Sequence, residues 1–286
     1  MCLILVAWQS HPDYPLVVAA NRDEFYARRT RPAAWWGQAV SLLAGRDEEA
    51  GGTWLGINRR GRVAMLTNVR SPENNNLHAP SRGLIALAAL QSTGSLQQWV
   101  QDNERTAQNF NGYNLLLGEP LPVLSRGIEA QLLYCSNRGP GMEPRSETRV
   151  LDPGIYGLSN AALDTPWPKV TRAVGAFACL IADSVRTDAL VHLMADRDLA
   201  RDWELPATGV PLDWERALSA IQIRANGYGT RATTVLTVRR DGTVVFQERT
   251  FSIDDPQNYV DRRFEFVIDG TGSRAPIFDS PRDERG

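Results

Sequence analysis

The chain opens with Met1-Cys2-Leu3-Ile4-Leu5-Val6-Ala7-Trp8, in which six apolar residues follow a cysteine at position 2. A second apolar run, Pro15-Leu16-Val17-Val18-Ala19-Ala20, follows after a polar turn at residues 10–13. Two short apolar runs separated by a turn predict two adjacent strands of one sheet. A hairpin of this kind would bring the residues after the second run back beside residue 2.

Residue 2 also has a chemical interpretation. If Met1 is removed, Cys2 carries a free α-amino group. An α-amine titrates at roughly 7.7 to 8.0 and a free thiol at about 8.5, so the amine can accept the thiol proton near neutral pH. One residue would then provide both nucleophile and base. The alternative is a buried cysteine that acts as a small inert hydrophobe.

Polar residues arrive at the ends of several predicted strands. Asn21-Arg22-Asp23-Glu24 follows the second run directly, where a solvated loop with a surface ion pair is the alternative interpretation. Asn68 ends the strand predicted over residues 62–70, and Asn160 follows an apolar approach at residues 154–158. Arg231 stands at the entrance of a hairpin turned by Asp241-Gly242. We predict that Cys2 and these strand-end residues meet in one pocket.

The remaining pattern predicts the fold class. Helical periodicity appears over residues 84–90 and 96–100, which Thr93-Gly94-Ser95 separates, and over 168–182, 189–197 and 213–223, and strand patterns dominate elsewhere. Early strands, loosely interspersed helices and a closing hairpin indicate α+β with mainly antiparallel sheets. Within these elements Cys135, Cys179 and His192 are interpreted as buried core residues.

Composition excludes several classes of function. The net charge is 31 minus 33, or -2, without a long single-sign run, which argues against a nucleic-acid partner or a polybasic membrane surface. Three widely spaced cysteines without a C-x-x-C pair predict neither disulfides nor a metal site, and they indicate a reducing compartment. The first apolar run is too short for a signal peptide or a membrane span, so we expect a cytoplasmic protein without stable membrane insertion.

Several short motifs occur together in a fixed order: Asn21-Arg22-Asp23-Glu24, Gly51-Gly52-Thr53-Trp54-Leu55-Gly56, Thr67-Asn68, Ser81-Arg82-Gly83, Ser159-Asn160 and Gly229-Thr230-Arg231. This set, after an N-terminal Met-Cys, resembles the NRDE family, also called the transport and Golgi organization protein 2 family, from Cys2 to about Phe251. The resemblance implies an N-terminal nucleophile hydrolase fold, a four-layer αββα sandwich similar to choloylglycine hydrolases and penicillin V acylases. We expect a single domain over residues 1–269 and a flexible tail over 270–286.

The resemblance also implies residue roles. In those hydrolases the nucleophilic cysteine is assisted by an aspartate, two asparagine donors and an arginine, and the matching positions here are Asp23, Asn68, Asn160 and Arg231. The arginine that precedes the aspartate by three residues in those acylases falls on Ala20 here, and Arg22 is the neighbouring cation. Substrate contacts are expected from the following residues: Asn21, Glu24, Trp35, Trp36 and Trp54.

Two functions from different classes follow. The first is an N-terminal-cysteine amidohydrolase that cleaves an amide or ester bond of a small acylated substrate through an acyl-thioester, without a cofactor. The second is a carrier or trafficking protein for haem or lipid-like apolar ligands, in which Trp35, Trp36 and Trp54 would line an apolar groove. An interaction scaffold with a vestigial site is a third alternative. Retained Asn, Asp and Arg groups around Cys2 favour the hydrolase.

Overall fold

The structure is a computed structural model that describes residues 2–36, 40–122, 129–139, 143–252 and 258–269. The tail predicted at 270–286 lies outside the described residues. The helices are α1 (Gly83–Gln91), α2 (Leu96–Glu104), α3 (Pro168–Asp183), α4 (Thr187–Leu193) and α5 (Leu212–Ala217). The strands are β1 (Cys2–Trp8), β2 (Leu16–Phe25), β3 (Thr30–Trp36), β4 (Leu42–Asp47), β5 (Leu55–Asn58), β6 (Val63–Asn68), β7 (Tyr113–Glu119), β8 (Gln131–Arg138), β9 (Pro144–Val150), β10 (Gly154–Leu158), β11 (Arg224–Ala225), β12 (Tyr228–Val238), β13 (Thr243–Phe251) and β14 (Tyr259–Val267).

These strands form two antiparallel sheets. The first sheet has the order β10-β1-β2-β12-β13-β14, with the short β11 paired to β12. The second sheet runs in sequence order from β3 to β9. In the first sheet the N-terminal strands β1 and β2 lie between β10 and β12. The strands from both ends of the described chain therefore belong to the same sheet.

Alternation along the strands divides the first sheet into two buried faces. In β1, Ile4 and Val6 belong to the core between the sheets, whereas Leu3 and Leu5 pack beneath the helices α3 and α4. Successive side chains of a strand point to opposite faces, so each face takes every second residue. Both faces are apolar, and the sheet is therefore covered on both sides.

The second sheet is covered on its outer face by α1 and α2. Ala44 and Leu66 of this sheet pack with Ile85 and Leu90 of α1 and with Trp99 of α2. The layers are thus helix, sheet, sheet and helix, and the α+β fold with an αββα sandwich of antiparallel sheets is confirmed.

A glycine brings α3 close to the first sheet. A Cβ atom built on Gly157 of β10 would lie 2.6 Å from methyl groups of both Val170 and Val174 of α3. Only a residue without a side chain permits this approach. The first turn of α3 is therefore pressed against the β10 and β1 end of the sheet.

Two predicted core residues are exposed, so that interpretation was wrong for Cys179 and His192. The buried face of α3 is the stripe Val170, Ala173, Phe177 and Ile181, which has the 3-to-4-residue spacing of a helix face. Cys179 lies two positions after Phe177 and so points to the opposite side of the helix. His192 follows buried Leu190 by two positions in the short helix α4 and is turned outward for the same reason.

The predicted bounds of two helices were also wrong. Helix α4 ends at Leu193 instead of residue 197, and α5 spans Leu212–Ala217 instead of 213–223. Between them the backbone is irregular apart from one 3-10 turn at Asp202–Glu204. A proline at position 211 supplies the residue before α5, where the missing N–H of proline costs nothing.

Candidate active site

Strand pairing gathers the predicted residues at one end of the first sheet. In the hairpin of β1 and β2, Cys2 pairs with Arg22 and Leu3 pairs with Asn21. In the next pair, Asp23 of β2 lies opposite Thr230 of β12. Met1 lies outside the described residues, and Cys2 is described by its backbone. The start of β1, the end of β2 and the start of β12 are thus neighbours.

Arg231 is the extra residue of a β-bulge. The register of β2 and β12 shifts between Thr230 and Ala232, so Arg231 has no partner across the ladder, as is typical of bulges beside functional sites. Its Nη1 donates to the carbonyl oxygens of Phe25 at 3.1 Å and Arg28 at 2.9 Å. The Nε atom is buried and has no hydrogen-bond partner within the described part of the chain. Arg231 therefore anchors the loop that follows β2.

Two arginines lie near one another here. Burial, and after it the positive charge of Arg22, lowers the pKa of Arg231. The Arg22 guanidinium lies 4.3 Å from the ring centroid of Trp54 and 3.7 Å from the Glu24 carboxylate. Its Nη1 is buried and makes no hydrogen bond with any described residue. The Nη1 group of Arg22 thus remains available to donate to a ligand. The stacking of its guanidinium on Trp54 joins Arg22 of the first sheet to a residue that precedes β5 of the second sheet.

Asp23 is buried beneath the helical layer. Its Oδ1 accepts a hydrogen bond from the Thr230 hydroxyl at 2.6 Å, and the residue is 1% exposed. Burial raises the pKa of Asp23, while the positive charges of Lys169, the N-terminal ammonium group and Arg22 oppose that rise. The Asp23 carboxyl is therefore a buried acid whose ionised form depends on the positive charges around it.

The two asparagines lie together where β6 of the second sheet ends, beside the segment that follows β10 of the first sheet. Asn160 Nδ2 donates to Asn68 at its backbone oxygen, 3.0 Å away, and at its Oδ1, 3.1 Å away. The Asn160 carbonyl oxygen accepts from the backbone N–H of Arg70 at 2.7 Å. Asn160 is fully buried and Asn68 is half-buried. Because Asn68 Oδ1 is the acceptor, the N–H groups of its side-chain amide are the donors that face a ligand.

A cavity of about 540 Å³ opens between the ends of the two sheets. Its wall contains Arg22, Asp23, Glu24, Trp54 and Asn68, together with residues 75–77 and 79–83. Exposed apolar side chains, Phe25 at 56% and Leu77 at 87%, lie at its rim. Asn160 and Arg231 act on residues of this wall. Asn160 donates a hydrogen bond to Asn68, and the positive charge of Arg22 contributes to the lowered pKa of Arg231.

Asn21 lies on the other face of β2. Its Nδ2 donates to the carbonyl oxygens of Met194 at 2.8 Å and Ile221 at 2.9 Å, and its Oδ1 accepts from the Thr233 hydroxyl at 2.6 Å. These bonds tie β2 to β12 and to the irregular segment after α4. The structure therefore places the predicted substrate contact Asn21 in the scaffold.

Trp35 and Trp36 also lie elsewhere. Trp35 packs edge-on against Phe266, with a centroid distance of 4.9 Å, and the Arg59 guanidinium stacks on it at 3.9 Å. Trp36 Nε1 donates to the backbone oxygen of Ala44 at 2.9 Å. Neither tryptophan is among the described residues that line the cavity. Both complete the edge strand β3 of the second sheet.

Sequence reasoning missed the polar residues on the helical side of Asp23. Lys169 of α3 is 1% exposed, and Arg70 forms a buried ion pair with Glu215 of α5 at 2.9 Å. A lysine in the first turn of a helix and an arginine after a strand are ordinarily solvated, so nothing in their sequence context indicated burial. Thr230, which contacts Asp23, was quoted only as part of a motif.

Other site types receive no support from the described residues. Among them no group of three or more His, Cys, Asp or Glu side chains is arranged to hold a metal ion. No helix in the same ranges is both long and apolar enough to cross a membrane.

The sequence was compared with known families. The family model described as Transport and Golgi organisation 2 matches residues 1–253. The Transport and Golgi organization protein 2 homolog of Bos taurus is 35% identical over 286 aligned residues, which cover 94% of this chain and 99% of that protein. The homolog of Homo sapiens is 32% identical with the same coverage, and the Drosophila melanogaster protein is 28% identical over 90% of this chain and 94% of that protein.

The fold was compared with solved structures. A mutant of the conjugated bile acid hydrolase from Clostridium perfringens superposes with a TM-score of 0.51 and 8% identity, covering 98% of this chain and 97% of that one. The Caenorhabditis elegans ortholog of N-acylethanolamine-hydrolyzing acid amidase gives a TM-score of 0.48 and 12% identity, covering 82% and 92%. At 8% identity the first likeness is one of fold alone, and it agrees with the αββα layers described above.

Proposed function

Because the chain belongs to the Transport and Golgi organisation 2 family and has the fold of a bile acid hydrolase, we propose that it is an N-terminal-cysteine hydrolase of small acylated amides or esters. The observation that carries the proposal is the strand register, in which Cys2 pairs with Arg22 and Asp23 pairs with Thr230, since Arg22 and Asp23 both line the cavity. The Asn68 and Asn160 pair stands across from them. A residue with both thiol and α-amine at that place has the groups that acyl transfer needs.

The reaction has two balanced halves. After removal of Met1, the α-amine of Cys2 takes the thiol proton, and the thiolate attacks the substrate carbonyl carbon. The resulting oxyanion collapses to a thioester as the C–N or C–O bond breaks, and the leaving amine or alcohol takes the proton from the α-ammonium. Water, deprotonated by the same amine, then attacks the thioester, and the acid and the thiol are released.

The neighbouring side chains have separate roles in this mechanism. Asp23, an acceptor when ionised, holds the α-ammonium group, and its place in β2, one residue after the Arg22 that pairs with Cys2, supports this role. The N–H groups of Asn68 stabilise the oxyanion, and Asn160 fixes Asn68 through its two hydrogen bonds. The positive charges of Arg22 and Arg231 favour the thiolate over the thiol.

The lining of the cavity supports a substrate with two unlike parts. Its volume of about 540 Å³ is in the range of small-molecule sites. The donor that Arg22 retains suits an anionic or carbonyl oxygen of the substrate. Phe25 and Leu77 at the rim suit an apolar acyl group. The substrate class proposed is therefore an acylated amine or alcohol with a polar head.

The test begins with the intact mass of the purified protein, which shows whether Met1 is absent. Wild type and the variants C2S, C2A and C179S are then incubated with a library of acyl-amino acids and acyl esters, and turnover and acyl-enzyme mass are recorded. We expect turnover in wild type and C179S, and loss of most of it in C2S and C2A. The exposed thiol of Cys179 is the matched control, because Cys179 is not among the described residues that line the cavity.

Chemical labelling gives an independent measurement. With iodoacetamide at neutral pH, adducts mapped by mass spectrometry should appear first on Cys2. Burial raises the pKa of Cys135 to about 11, so that thiol should react last. Wild-type protein that retains Met1, or that forms no acyl-enzyme with any amide or ester, would count against the hydrolase.

The carrier alternative has weaker support. Its apolar groove needs Trp35, Trp36 and Trp54, and only Trp54 contributes to the cavity wall in the described part of the chain. Haem binding by wild type that falls in the variant W54A, without any turnover, would favour the carrier.

A further inference from the structure

Lys169 occupies a position that is unfavourable for a lysine. It is the second residue of α3 and is 1% exposed, which makes it one of the largest fully buried side chains of the described chain. A buried ammonium group is costly unless an anion compensates it. The N-terminus of a helix carries partial positive charge and repels a cation further. An anion must therefore stabilise Lys169 at this place.

The geometry of β2 identifies that anion. Val17 and Ala19 pack beneath the helices α3 and α4, and Asn21 bonds to the segment after α4, so this face of β2 takes the odd-numbered residues. Asp23 continues the row by two residues and is wholly buried as well. Lys169 is the largest of the charges that oppose the rise in the pKa of Asp23 caused by burial, ahead of the N-terminal ammonium group.

The other charged groups around Asp23 are already matched. Arg70, which lies between Asp23 and α5, forms its ion pair with Glu215 at 2.9 Å. From β12, Tyr228 faces Arg70, and Thr230 donates its hydroxyl to Asp23. Arg22, the neighbour of Asp23 in β2, is directed to the cavity, where it stacks on Trp54. Among the described side chains, Lys169 is the cation whose charge acts most strongly on Asp23.

We propose that Lys169 is a positioning residue, which keeps Asp23 ionised inside the helical layer so that its carboxylate holds the α-amino group of residue 2. This inference rests on the proposed function. Without Lys169, burial would favour the neutral acid, and a neutral acid cannot hold an ammonium group by charge. The consequence is that loss of Lys169 moves the acid limb of the activity profile to higher pH.

The experiment compares K169M, K169R, D23N and the double variant K169M/D23N with wild type. Two quantities are measured from pH 5 to pH 9: kcat/KM on the best acyl substrate, and the rate of Cys2 alkylation by iodoacetamide. K169M should shift both profiles upward by about one pH unit or more, which is roughly a tenfold loss at pH 6. K169R, which keeps the charge, should restore most of the loss. Far-UV circular dichroism and urea unfolding show which variants are folded.

The double variant separates positioning from a merely structural role. Once Asp23 is an amide, removal of the Lys169 charge should change kcat/KM and the alkylation rate no further, because the two residues act as one unit. K169M profiles that superimpose on those of wild type, or losses that add in the double variant, would overturn the assignment. If K169M does not fold, K169R and D23N still decide, since K169R must then follow wild type and not D23N.

The outcome for Lys169 can be distinguished from the outcome for the hydrolase. Wild type could show no turnover while the alkylation profile still shifts in K169M. That result would contradict the hydrolase proposal and would leave Lys169 as the group that sets the ionisation of Asp23. Turnover in wild type with an unshifted K169M profile would sink the Lys169 assignment alone.

Discussion

Removal of one partner of the ion pair between Arg70 and Glu215 should be one of the most destabilising single changes around the site. The two side chains are 4% and 6% exposed, and the Arg70 Nη1 and Glu215 Oε2 atoms lie 2.9 Å apart. The Arg70 guanidinium also stacks on Trp167 at 4.7 Å. Burial lowers the pKa of Arg70, and the negative charge of Glu215 opposes this. R70M would leave Glu215 as an uncompensated buried charge.

The expected cost follows from these contacts. Removal of one partner of a buried ion pair destabilises a protein by about 3 to 5 kcal/mol. The backbone N–H and hydroxyl of Thr208 still donate to Glu215 Oε1, which places R70M near the lower end, at about 3 kcal/mol. The double variant R70M/E215L removes both charges and should cost less than R70M alone. Urea unfolding followed by tryptophan fluorescence at pH 7 measures wild type, R70M, E215L and R70M/E215L.

An exposed pair serves as the control. Arg186 and Asp188 lie 2.6 Å apart with side chains 66% and 68% exposed, so R186M should leave the unfolding midpoint unchanged. The reasoning would be refuted if R70M cost less than about 1 kcal/mol, or if the double variant cost the sum of the two single variants. The pair also matters for the site, because the backbone N–H of Arg70 holds the Asn160 carbonyl oxygen.

Two further predictions concern buried groups between the sheets. Burial raises the pKa of Glu248, so this carboxyl keeps its proton to higher pH in the folded state than in the unfolded state. The free energy of unfolding therefore falls as the pH rises above the ordinary glutamate pKa. E248Q should therefore be more stable than wild type at pH 8 and lose that advantage at pH 4, and equal differences at both pH values in urea unfolding would contradict this. A Cβ atom on Gly45 would lie 2.3 Å from the Trp54 ring, so G45A should push Trp54 off Arg22 and cost about 1 to 3 kcal/mol, whereas G94A, with open space around it, should change the free energy of unfolding by less than about 0.5 kcal/mol.

The fold could be predicted because its signals are local. The two apolar runs, the turn between them and the Asp-Gly hairpin each specify an antiparallel pair, and the pairing of Cys2 with Arg22 follows from the hairpin itself. The bulge at Arg231 could not be predicted, since nothing in Gly229-Thr230-Arg231 marks the residue that leaves the ladder. The bulge depends on the pairing of strands some 200 positions apart in the sequence.

The sequence also did not show that the site residues of β2 lie on two opposite faces of the first sheet. In a half-exposed sheet, alternation of polar and apolar residues shows which face a residue takes. Here both faces are buried, so Leu16 to Ala20 are apolar throughout and carry no such signal. Asn21, Arg22 and Asp23 were therefore treated as one polar group, although Asn21 and Asp23 take one face and Arg22 the other.

This division of faces has a consequence for the proposed mechanism. The α-amino group of residue 2 stands at the end of a strand, where groups from both faces of the sheet can approach it. Arg22, Trp54 and Asn68 approach from the space between the sheets, where the substrate would bind. Asp23 approaches from the helical layer, where the positive charge of Lys169 opposes the rise in its pKa that burial causes. Changes between the sheets should therefore alter the rate at every pH, whereas changes in the helical layer should alter the pH at which that rate is reached.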